Sequence, residues 1–129
     1  MPVVKQLSVF LANKPGVMAR LCRSLAQQKI NLQGLSVSDT VDHAVIRMIT
    51  SNPAKARVLL ESAGVLVIET DVLALSLPDR PGELGRVAAT LAKAKVNIEY
   101  AYGTTGNPSA LMILRVSDIA KARKALKLR

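Results

Sequence analysis

Pro15-Gly16 and Pro81-Gly82 lie 66 positions apart, and the same offset, with no gap, superposes one half of the chain on the other. It sets Leu25-Ala26 on Leu91-Ala92, Lys29 on Lys95, Asn31 on Asn97 and Ser51 on Ser117. It also sets Ala54-Lys55-Ala56-Arg57 on Ala120-Lys121-Ala122-Arg123. An offset that holds without insertion or deletion marks two copies of one folding unit, so the architecture must be built from that unit twice. A chain of 129 residues makes one ordinary domain or two very small ones. The repeat favours two, residues 1–70 and 71–129.

Both copies run through the same order of elements. Val3 to Leu11 and Asp71 to Leu77 are short runs rich in β-formers and are predicted strands. Pro15 and Pro81 suit the first turn of a helix, where a missing N–H costs little, with Asn13 or Asp79 near the cap. Met18, Leu21, Cys22 and Leu25 then recur at helical spacing, as do Leu84, Val87, Ala88 and Leu91. A second strand is predicted over Asn31 to Ser38 and Asn97 to Thr104. Turns at Asp39 to Asp42 and Thr105 to Pro108 lead into a third, Ala44 to Thr50 and Ala110 to Val116. A second helix starts at an Asn52 cap with Pro53 in its first turn and stops at Gly64. Its counterpart covers Asp118 to Lys127, and Gly64 to Glu69 supplies a fourth strand in the first copy.

The order β-α-β-β-α-β describes an α+β fold, two ferredoxin-like units with both helices on one face of an antiparallel sheet. Right-handed crossovers put the first and third strands of each unit side by side. The second copy lacks its last strand, because the counterpart of Val65 would fall past Arg129. The strand Val72 to Leu77 is therefore expected to present an apolar edge, covered by a partner chain or an exchanged strand.

The junction of first strand and first helix is where chemistry is expected. A glycine there lets another group approach the backbone, and the N–H groups of the helix's first turn favour an anion such as a carboxylate. Asn13 or Asp79 stands beside that point and can accept hydrogen bonds from an ammonium group. Asn31 and Asn97 open the second strand, which is expected to return near the same helix. An anion site beside short polar side chains suits the main-chain atoms of a free amino acid. The competing reading is a plain strand-to-helix turn; the recurrence of both features in both copies favours a site.

These loops, Asn13-Lys-Pro-Gly-Val-Met-Ala-Arg-Leu21 with Lys29-Ile-Asn-Leu32, and Asp79-Arg-Pro-Gly-Glu-Leu-Gly-Arg-Val87 with Lys95-Val-Asn-Ile98, resemble those of ACT domains. The resemblance covers nearly the whole chain as a stand-alone tandem pair. It implies a ferredoxin-like sheet that pairs with another copy as a homodimer. It also implies a non-catalytic regulatory role in which a small effector, usually an amino acid, binds where the loop of one domain faces a neighbour. By matching position, the ligand-contacting residues it implies are Asn13, Gly16, Val17, Met18 and Asn31 in the first copy. In the second they are Asp79, Gly82, Glu83, Leu84 and Asn97. Met18 replaces the family's usual Leu. Glu83 stands where the first copy has Val17, and its carboxylate would repel a ligand carboxylate at the same helix start; Asp79 adds a second negative charge. The first copy is thus expected to hold the better site. Its opening stretch also resembles the regulatory small subunit of acetolactate synthase, which offers an alternative role beside an enzyme partner.

Composition excludes several other classes. The formal charge of +9 raises nucleic acid, but the basic residues are scattered outside Lys121 to Arg129, and the only aromatics are Phe10, Tyr100 and Tyr102. A basic, RNA-binding ferredoxin-like protein would stack bases on aromatics of its central strands, where Leu, Val, Ile and Met stand here. No nucleophile-base motif, P-loop or dinucleotide fingerprint is present, so no catalysis and no cofactor are expected. His43 and a distant Cys22 make a poor metal-ligand set, and are read as a turn histidine and a packed thiol. Met48 and Met112 read as core filler. Tyr100 and Tyr102 share one strand face and could line a pocket, an interface or an ordinary packed surface. No apolar run reaches the length of a membrane span, no secretory signal opens the chain, and a single cysteine rules out an intrachain disulfide; a cytoplasmic protein is expected.

Overall fold

The structure, a computed structural model, describes residues 3–39, 43–103 and 109–127. Its elements are β1 (Val3–Ala12), α1 (Val17–Gln27), β2 (Leu32–Asp39), β3 (His43–Thr50), α2 (Pro53–Ser62), β4 (Leu66–Pro78), α3 (Glu83–Lys93), β5 (Ile98–Gly103), β6 (Ser109–Val116) and α4 (Ile119–Ala125). Of the turns expected at Asp39 to Asp42 and Thr105 to Pro108, residues 40–42 and 105–108 lie outside the described residues, as does Thr104, the expected end of a strand. Two compact units result: residues 5–70 form one, and residues 71–127 together with Val3 and Val4 form the other.

In the first unit β3 lies between β1 and β2 and pairs antiparallel with both, Leu7 opposite Met48 and Leu35 opposite Met48 from the other side. Strand alternation then sends Leu7, Val9, Ala44, Ile46 and Met48 to one face. Leu21 and Leu25 of α1, Ala56 and Leu60 of α2, and Val67 of β4 close over them as one core. Every one of these side chains is aliphatic, as a chain so poor in aromatics requires.

The second unit repeats the plan with β6 between β4 and β5: Leu75 faces Met112, and Ala101 faces Leu114. Its core joins Leu73, Leu75 and Leu77 to Val87 and Leu91 of α3, Leu114 and Val116 of β6, and Ala122 of α4.

Two expectations about strands are corrected. The fourth strand of the first repeat and the first of the second are one continuous strand, β4, thirteen residues long. The apolar segment of β4 does not stand open: Val72 and Leu73 are fully buried within the chain itself. Val3, at the start of β1, packs against the second core and does part of what a terminal strand of that repeat would do.

Cys22 is half-buried and stands outside the core clusters. Met48 is fully buried, and Met112 packs at the edge of the second core. Tyr100 and Tyr102 are half-buried on one face of β5, opposite Arg115 and Ile113 of β6.

Candidate amino-acid site at the strand-to-helix loops

β1 ends at Ala12, and the chain then turns twice in four residues. The Lys14 N–H donates to the Ala12 carbonyl at 3.1 Å, and the Val17 N–H donates to the Lys14 carbonyl at 3.3 Å. The second of these closes a turn with Pro15 and Gly16 at its centre, and Gly16 has φ 88° and ψ −13°. That is a type II turn, which takes proline at its second position and needs positive φ at its third. The second repeat reproduces it: Arg80 N–H to Pro78, Glu83 N–H to Arg80, and Gly82 at φ 90°.

The prolines therefore precede the helices instead of occupying their first turns, and the glycines are the N-cap residues. Gly16 and Gly82 bring no side chain to cap with, and the Asn13 amide donates to Asp39. The other two helices differ. Asn52 Oδ1 accepts from the Lys55 N–H at 3.1 Å, and Asp118 Oδ1 from the Lys121 N–H at 3.0 Å. In each repeat, the helix after the Pro-Gly step is the one whose N-cap residue supplies no side-chain acceptor.

Asn13 is exposed and donates from Nδ2 to Asp39 Oδ1 at 2.7 Å, which ties the loop to the end of β2. Its own side-chain oxygen remains an acceptor, now next to a carboxylate, an arrangement suited to an ammonium group. Val17 and Met18 are half-buried, and Met18 packs against the first core.

Asn31 sits elsewhere. Its N–H donates to Ser51 Oγ and its carbonyl accepts from the Ser51 N–H, both at 2.9 Å, so its backbone is clamped where β2 begins and β3 ends. The exposed side chain is left to solvent. Asn97 is held by Ser117 in the same way and at the same distances. β2 starts just after Asn31 and ends at Asp39, beside Asn13, so about 25 Å of strand separates the two asparagines within the unit. The expected return of the second strand towards the loop is thus met by its last residue, Asp39, and not by Asn31.

In the second repeat the loop carries its own anion. Glu83, the first residue of α3, is only 14% exposed and receives Arg80 Nε at 2.9 Å and Arg86 Nη2 at 3.2 Å. The hydrogen bond from Arg80, helped by Arg86 and opposed by partial burial, holds its carboxyl below the usual carboxylate range. Asp79 and Leu84 lie exposed beside it. Leu84, at 43% exposure, is one of the large apolar side chains turned to solvent.

Sequence reasoning missed Asp39, which is distant along the chain, and the Arg80 and Arg86 grip on Glu83, which i±3 spacing could have revealed. The coincidence of Ser51 and Ser117 in the repeat reflects their shared task of holding Asn31 and Asn97. Among the described residues no group of three His, Cys, Asp or Glu is placed to hold a metal ion. No helix among the described residues is long and apolar enough to cross a membrane.

Residues 2–129 match the ACT domain pair family. A crystal structure of a protein from Bacteroides thetaiotaomicron is 38% identical, with a TM-score of 0.93 over 97% of this chain and 87% of that one. The regulatory subunit of aspartate kinase from Thermus thermophilus, solved ligand-free, shares the fold at 15% identity, with a TM-score of 0.71 over 98% and 96% of the two chains. The corresponding subunit from Thermus flavus, also 15% identical, has a TM-score of 0.67 over 98% and 95%. No curated protein matches the chain. The two glycine-started helices, the ferredoxin-like units and the match from end to end agree: the chain belongs to the ACT domain pair family.

Proposed function

We propose that this protein is a non-catalytic, cytoplasmic regulatory module that binds an amino acid at the loop of its first repeat. The observation that carries the reading is the start of α1: a left-handed glycine, no side-chain cap and no acidic residue in the first turn. Those N–H groups, with the helix dipole behind them, donate to the ligand's carboxylate, and the Asn13 side-chain oxygen beside Asp39 accepts from its ammonium group. Asn31 enters from a second copy. Antiparallel neighbours along the β2 edge would bring the start of one β2 to the end of the other, so a homodimer completes the site. The second repeat, with Glu83 at the matching point, binds more weakly or only supports the assembly.

The mechanism is linkage. A ligand shared between copies stabilises one arrangement by as much as its affinity differs between arrangements, and a partner reads the result. An amino-acid biosynthetic enzyme is the natural partner. The shared fold with regulatory subunits of aspartate kinase supports that role, and the loop's likeness to the acetolactate synthase small subunit offers another enzyme of the same kind.

Thermal unfolding against each of the twenty L-amino acids at millimolar concentration tests the reading. A ligand at ~100 times its dissociation constant adds about 2.7 kcal/mol, a visible shift. A selective shift lost in Gly16→Val and kept in Gly82→Val is expected. No shift with any amino acid, or one lost only in Gly82→Val, would overturn the assignment.

A further inference from the structure

The second repeat shows what its loop does with a carboxylate: Glu83 lies between Arg80 and Arg86. The 66-residue offset places Lys14, Val17 and Arg20 on those three positions. The first repeat therefore keeps both cations and puts an isopropyl group where the carboxylate would be. Among the described residues, Arg20 has no ion-pair partner.

Next to Arg20, between α1 and α2 of the first unit, is a cavity of about 350 Å³. That falls within the size range of small-molecule sites. Its wall is mainly aliphatic, including Val17, Leu21, Leu59 and Val65, with Ser24 as a polar member and Arg20 as its one charged side chain. An apolar hollow with a single unneutralised guanidinium suits a molecule with an aliphatic body and one carboxylate.

We propose that this cavity takes the aliphatic side chain of the bound amino acid, whose carboxylate lies against Arg20 as the Glu83 carboxylate lies against Arg86. The assignment rests on the amino-acid reading above and narrows it to branched aliphatic ligands. It also explains the change from Val17 in one repeat to Glu83 in the other. Glutamate at position 83 closes its own loop from within, whereas valine at position 17 leaves the matching place to a ligand.

Calorimetric titration of the whole protein with L-leucine, 4-methylpentanoate, L-lysine and L-aspartate tests it. Wild-type protein is expected to bind L-leucine and, more weakly, 4-methylpentanoate, which has the same body without the ammonium group. Val17→Glu installs the second repeat's own carboxylate and should lower both affinities at least tenfold. Arg20→Gln, at an exposed position, should also weaken both and guards against misfolding of the first variant. Binding of L-lysine or L-aspartate in place of L-leucine, lost in Gly16→Val, would keep the regulatory reading and overturn the cavity assignment. Unchanged L-leucine affinity in Val17→Glu and Arg20→Gln would overturn it too. Binding of none of the amino acids would overturn both.

Discussion

Glu83 and Val17 occupy equivalent positions and give the two loops opposite characters. The glutamate was legible in the sequence as an obstacle to an anionic ligand. Its neutralisation by Arg80 and Arg86 depended on knowing that the type II turn brings Arg80 back over the helix start. The paired carboxylate has its pKa lowered in the folded state, so it contributes stability above its unfolded value of 4.5. That contribution is lost as pH falls through the lower folded value. Glu83→Gln should therefore melt below wild type at neutral pH, and the gap should close as pH drops below 4.5. Melting curves across pH 3 to 7 would show it; a gap constant with pH would mean that the carboxylate's charge plays no part. Asp39 was not legible, because only the pairing of β2 with β3 brings it to Asn13, 26 positions earlier.

At the scale of elements, hydrophobic spacing located α1 and α3, the Asn52 cap and the Gly64 stop located α2, and the 66-residue offset matched α4 to it and predicted which strands would match. The helix ends were read less well. Pro-Gly looks like a helix start in sequence, yet positive φ at the glycine belongs to a turn that finishes first. The other ends hide a second repeated device. Lys29 and Lys95 adopt φ 59° and 61°. Their N–H groups bond back to Ala26 and Ala92, and those of Ile30 and Val96 to Leu25 and Leu91, at 2.9 to 3.0 Å. These are Schellman motifs, sealed by apolar pairs that are buried in both repeats. Lysine carries no sequence mark of a left-handed residue, whereas Gly64, which ends α2 in the same way, does. Glycine at position 29 would relieve that strain, so Lys29→Gly should stabilise the protein by about 0.5–1 kcal/mol in urea unfolding. Destabilisation would show that the lysine side chain holds something the backbone does not.

For the whole molecule, the duplication specified two ferredoxin-like units but not the strand that runs between them or the reach of β1. Val3 belongs by sequence to the first repeat and packs on the second core. The reason lies in burial: the second repeat has one strand fewer, and an apolar side chain at the chain's start supplies some of the missing cover. Removing residues 1–4 should lower hydrogen-exchange protection more in residues 71–127 than in 5–70, by about 1 kcal/mol. Equal loss in both units would contradict that division of labour. The regulatory account itself rests on one ligand seated at one loop. Amide chemical shifts recorded while the stabilising amino acid is titrated would test it most directly. The account predicts the largest changes at Gly16, Val17 and Met18, with Gly82, Glu83 and Leu84 nearly still; the reverse pattern, or changes at neither loop, would contradict it.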